Sequence, residues 1–139
     1  MPRLSSAHGT LRNSAVAADR VPAEALADRL ANVTRLREHH LWEILRTLPS
    51  LTAARDDSDF RHLFRVLMER EDLVAASQAL IDAARPACRL DRLECVDGYW
   101  IARILSDGAV PRAVAIHVDR VAAVMAALVT LDRPAPVKQ

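Results

Sequence analysis

Apolar positions recur at helical spacing in four stretches of the chain. In the first, Leu26, Leu30, Val33, Leu36, Leu41, Ile44, Leu45 and Leu48 mark one face, while Arg29, Arg35, Arg37, Glu38, Glu43 and Arg46 cover the other. That pattern predicts one long amphipathic helix from Pro22 to Leu48, ended by Pro49. Pro22 suits a first helical position, and Glu24 and Asp28 lie where the helix dipole favours acid. Ser50–Asp57 is expected to be a connector. The acidic run Asp56-Asp57-Ser58-Asp59 then precedes Phe60, Leu63, Phe64 and Leu67, as a helix cap precedes an apolar stripe. A calcium loop needs further carboxylates at alternate positions and a central glycine, and Phe60 and Arg61 break that pattern. The second helix is expected to continue through the charged run Glu69-Arg70-Glu71-Asp72. Its stripe resumes at Leu73, Val74, Leu80, Ile81 and Ala84, and Pro86 stops it.

Leu90, Leu93, Val96, Trp100, Ile101, Ile104 and Leu105 predict a third helix starting near Asp91, with Asp91 and Glu94 at capping-box spacing. Gly98 is unfavourable inside it by roughly 1 kcal/mol relative to Ala, unless it marks an entry turn and the helix proper begins at Tyr99. Asp107-Gly108 ends this element. In the last stretch, Val110–Leu131, a stripe of Val114, Val118, Val121, Met125 and Leu128 opposes a face of Ala115, Ala122, Ala123, Ala126 and Ala127. Val114, Ile116 and Val118 also alternate as a strand would. No partner strand is visible elsewhere, and Val121–Leu131 is long and Ala-rich, so the reading is a fourth helix. A helix apolar on both sides is buried on both sides, by its own chain or by another.

The expected fold is therefore all-α, an antiparallel four-helix bundle or a closely related helical array. A single helical domain would span 22–133, with a disordered N-terminal tail over 1–21 and a short C-terminal tail over 134–139. The helix starts are unevenly spaced, so no internal repeat is indicated. Composition agrees with helix: only 3 glycines and 4% aromatics accompany 51% hydrophobic residues. Met1–Arg20 lacks the apolar core of a secretion signal, and the longest uncharged run, Val121–Leu131, falls short of the ~18–20 residues that cross a bilayer. Cys88 and Cys95, if helical, lie about 10 Å apart, beyond disulfide reach. A reducing, cytoplasmic setting follows as the expectation.

Candidate chemistry is sparse. His39, His40 and Glu43, Asp59 and His62, and His117 and Asp119 form isolated pairs at turn spacing. A di-iron site wants Glu-x-x-His on two helices, and 5 histidines with His8 in the tail do not supply the set, so no metal is expected. Ser77 and Ser106 carry no nucleophile motif, and Gly9, Gly98 and Gly108 build no phosphate loop, so no cofactor and no enzymatic activity are expected. A formal charge of +1 gives no electrostatic case for nucleic acid. A helix–turn–helix built from the last two helices is the main alternative, but Pro111–Ile116 offers no Asn or Gln to read bases. A ligand or metal site in the bundle core is the second alternative. The leading expectation is a protein-binding module, an adaptor, regulator or accessory chaperone that self-associates as a homodimer. Its contact residues would be Trp42, Arg112, Ala115, Ala122 and Ala126, with Trp42 as an aromatic anchor off the main stripe of its helix.

Overall fold

Asp97 and Gly98 both adopt left-handed backbone, with φ of 52° and 83°, and the chain reverses there. In this computed structural model, which describes residues 23–132, two strands leave that turn: β1 (Cys88–Val96) and β2 (Tyr99–Ser106). Positive φ at both central residues is the two-residue hairpin turn whose twist matches the flanking strands, and Asp-Gly is among its preferred sequences. A third strand, β3 (Arg112–His117), pairs antiparallel with β2, giving the order β1-β2-β3. The protein is therefore mixed α and β, with six helices and a three-stranded antiparallel sheet among the described residues, and the all-α four-helix bundle is overturned.

The expected third helix is this hairpin, and its disguise has a local cause. The β1–β2 register shifts between Leu90 and Arg92, so one extra residue, Asp91, is accommodated in β1. A bulge of this kind breaks strict alternation. Leu90 and Leu93, three apart, consequently pair with Ile104 and Ala102 on the same inward face, and their spacing imitates a helix. Cys88 and Cys95 are free thiols near opposite ends of β1, roughly 23 Å apart at a strand's rise per residue, not the ~10 Å of a helix.

The expected fourth helix splits at its Val118-Asp119 junction. β3 alternates, with Ala113, Ala115 and His117 turned inward and Arg112, Val114 and Ile116 outward. A helix follows over Arg120–Asp132. Asp119 caps it, its carboxylate accepting from the Ala122 N–H at 2.9 Å. With Tyr99–Ser106 and Arg112–His117 in strands and the last helix starting only at Arg120, the expected pair of helices joined by Ser106–Val110 is not present among the described residues.

From residue 23 to Ala83 the chain is helical, but more finely divided than its stripes suggest. The single helix expected from Pro22 to Leu48 is two: α1 over 23–32 and α2 (Glu38–Thr47). Val33 and Thr34, β-branched and poor helix formers, lie in the break. There the Asn32 amide donates to the Asp28 carbonyl at 2.8 Å. His40 then helps start α2, its Nδ1 accepting from the Arg37 N–H at 2.9 Å. The Ser50–Asp57 connector is a 3-10 turn (Pro49–Leu51) and a short α3 (Thr52–Asp56). α4 (Ser58–Glu69) starts at Asp57, whose carboxylate accepts from the N–H groups of Asp59 and Phe60, so the acidic run is a cap as expected. The second helix is not continuous: Glu71, with φ of 55°, separates α4 from α5 (Leu73–Ala83), and Asp72 caps the latter. The helix over Arg120–Asp132 is α6.

α6 answers the question its sequence poses. It packs on β2 and β3 and against α5. Ala122, Ala123, Val124, Met125, Ala127, Leu128 and Val129 are buried, so both of its sides are covered within the chain. Each of its larger apolar side chains contributes about 1.5–3 kcal/mol on burial. The 1–21 and 134–139 tails lie outside the described residues.

Candidate functional site

Because the helices gather on the inward face of the sheet, its opposite face carries no described element. Cross-strand register arranges the outward side chains in rows. Val96 stands beside Tyr99; Glu94 beside Ile101 and Ile116; Arg92 beside Arg103 and Val114; and Arg89 beside Leu105 and Arg112. Ile116 is 63% exposed, Val114 52% and Tyr99 51%. Side chains of this kind usually lie inside, and a contiguous exposed group of them marks an interaction surface.

The two edges of the sheet differ. On the β1 side the bulged Asp91 accepts from the Arg103 Nε at 2.6 Å, and Arg92 pairs with Glu94. A bulge with internally neutralised charge discourages further strand pairing. β3 has neither device. The Ser106 N–H donates to the Pro111 carbonyl at 2.8 Å, which sets the antiparallel alternation. Ala113, Ala115 and His117 therefore turn their backbone groups toward β2, and those of Arg112, Val114 and Ile116 point away. Among the described residues no other backbone pairs with that edge. A regular strand with apolar outward side chains and free N–H and C=O groups is a template for another strand.

The five residues singled out in the sequence are dispersed. Arg112 is exposed on β3, within the outward face, while Ala115 turns inward and is half-buried. Ala122 is fully buried and Ala126 half-buried on α6. Trp42 lies elsewhere, on α2, half-buried and edge-on to Phe64 of α4 with ring centroids 4.9 Å apart. Val114, Ile116 and Tyr99 lay hidden in segments taken for helix. The alternation Val114-Ile116-Val118 was the available signal.

A cavity of about 350 Å³ is lined by polar groups of Ser50, Cys88, Ser106 and Asp132 among Pro86, Val110, Leu128 and Leu131. The Asp132 carboxylate accepts from the Ser50 hydroxyl at 2.6 Å and from its N–H at 3.1 Å, tying the end of α6 to the 3-10 turn. Burial raises its pKa above the usual carboxylate range, against the Ser50 hydrogen bonds. Burial, reinforced by the charges of Asp132 and Asp82, pushes the Cys88 thiol up to about 11, so it is protonated and unreactive at neutral pH. Among the described residues no histidine lines the cavity, and none forms a Ser–His or Cys–His pair there.

The buried histidines serve the backbone. His117 Nδ1 accepts from the Asp119 N–H at 2.9 Å, so its Nε2 carries the proton and donates to the Leu30 carbonyl at 2.8 Å. This one ring fastens α1 to the junction of β3 and α6. Among the described residues no three His, Cys, Asp or Glu side chains are grouped to hold a metal ion, and no helix is long and apolar enough to cross a membrane. No protein-family model, curated protein or solved structure matches the chain.

Proposed function

We propose that this chain is a protein-binding module of adaptor or regulator type that works as a homodimer, joined through the β3 edge and the adjoining outward face of the sheet. One observation carries the reading: Val114 and Ile116 are more than half exposed on the one sheet edge that has no bulge and no ion pairs. The contact surface is thus a strand and a sheet face, not the alanine face of α6. A second copy fits this edge well. An antiparallel pairing centred on Ala115 sets Val114 opposite Ile116 twice over and keeps the two Arg112 side chains apart. Each such β-branched cross-strand pair contributes roughly 0.2–1 kcal/mol beyond the new backbone hydrogen bonds. The product would be a six-stranded sheet with an α6 from each copy on the same side.

Light scattering during size-exclusion chromatography tests this. The wild-type chain of 15.3 kDa is expected to run at twice its monomer mass. Ile116→Arg, which places a charge on a side chain already exposed, is expected to give a folded monomer. A wild-type protein that stays monomeric at high concentration, or a variant that stays dimeric, overturns the proposal.

A further inference from the structure

Four arginines converge on Trp42. Arg46 on α2, Arg55 on α3, and Arg61 and Arg65 on α4 line a pocket of about 230 Å³ whose apolar floor is Trp42 and Leu45. Among the described residues no carboxylate lines it. The ion pairs among the described residues are Arg29–Glu43, Arg92–Glu94 and Arg103–Asp91, so none of these four guanidinium groups is neutralised by one. Arg55 is held by neutral acceptors, its Nη1 donating to the carbonyls of Leu45 at 2.7 Å and Leu48 at 2.9 Å. Its guanidinium is therefore fixed in place at the C-terminal end of α2, with no carboxylate partner among the described residues. Asp57, the acidic residue one turn before Arg61, spends its carboxylate on capping α4. Four arginines without a carboxylate partner among the described residues are a marked local excess in a chain whose formal net charge is +1.

We infer that this pocket binds an acidic peptide segment of a partner protein, an apolar side chain resting on Trp42 and Leu45 while flanking carboxylates engage the arginines. Planar guanidinium forks match carboxylates in bidentate geometry. The volume favours a side chain over a nucleotide, since small-molecule sites run about 300–1,000 Å³. Phosphate cradles are commonly built from backbone N–H groups at a helix start; here side chains of helix bodies do the work. The chain's own ends are poor occupants: residues 1–22 hold one acidic side chain, Asp19, and 133–139 hold none. The inference deepens the protein-binding reading by naming a partner chemistry, and it uses a different surface from the proposed dimer contact.

The test follows Trp42 fluorescence in a Trp100→Phe background, titrating the full chain with a decapeptide of alternating Glu and Leu. The controls are its Gln counterpart, its phosphoserine counterpart and a single-stranded oligonucleotide. The Glu peptide is expected to bind, to weaken as salt rises, and to lose about tenfold in affinity in Arg61→Ala/Arg65→Ala, whose side chains support no described hydrogen bond. Ile116→Arg is expected to bind it as wild type does, which separates this site from the dimer contact. Equal binding of the Gln peptide, unchanged affinity in the double variant, or tighter binding of the phosphoserine peptide or the oligonucleotide overturns the inference.

Discussion

His40 shows how a residue with catalytic or metal-binding potential serves structure instead. Its ring is buried and its Nδ1 accepts the Arg37 N–H, a bond that protonation of that nitrogen abolishes. Burial lowers its pKa below 6.5, helped by the charge of His39 and opposed by that of Glu43. The unfolded chain therefore binds the proton more readily than the folded one. The stability that His40 contributes is full above its unfolded pKa and drains away as pH falls through and below that value. His40→Gln keeps an acceptor at this position, as a capping-box glutamine does, and removes the titration. Its melting temperature is expected to vary less between pH 7.5 and pH 5 than that of the wild type. His40→Ala is expected to lose about 1 kcal/mol at high pH through the missing cap. A steeper pH dependence in His40→Gln would contradict this role.

Among the elements, the β1–β2 hairpin rests on Gly98. A Cβ there meets nothing within 4 Å, so the penalty for a side chain comes from the backbone alone. Gly98→Ala is expected to cost about 1–2 kcal/mol in urea denaturation, the usual penalty of left-handed backbone for an L-residue. Gly98→Asn is expected to cost less, because Asn tolerates this region. Equal losses would contradict the turn geometry. The same hairpin explains which elements the sequence disclosed. Asp57 and Pro86 are local signals and were legible: a carboxylate that caps α4, and a proline beyond the end of α5. Asp97-Gly98 is equally local and was a readable hairpin signal. It was outweighed by Leu90 and Leu93, whose three-residue spacing comes from a bulge, a feature of strand pairing that no single strand displays. β3 then lost its only possible partner, and a correct alternation, Val114-Ile116, was read into a helix. The charged run Glu69–Asp72 left its break open to either reading, and Glu71 settles it.

For the molecule as a whole, the apolar residues of Val110–Leu131 divide between the interior and the outward face of the sheet. Burial on both sides of α6 is met inside the chain, by the sheet and by α5. What the described residues leave uncovered is the outward face of the sheet, a surface that an all-helical reading cannot contain. Trp42 was legible as an aromatic off its helix stripe, whereas the arginines around it come from three helices that only the fold brings together. The central claim is that a second copy covers the β3 edge. Hydrogen exchange at the Val114 and Ile116 amides, measured across protein concentration, tests it most directly, because these two N–H groups point away from β2. In the dilute monomer they are expected to exchange quickly, and to become protected as concentration rises, while Ile116→Arg stays unprotected at every concentration. Fast exchange in a sample whose mass is dimeric would place the contact elsewhere, and fast exchange at all concentrations in a monomer would remove it.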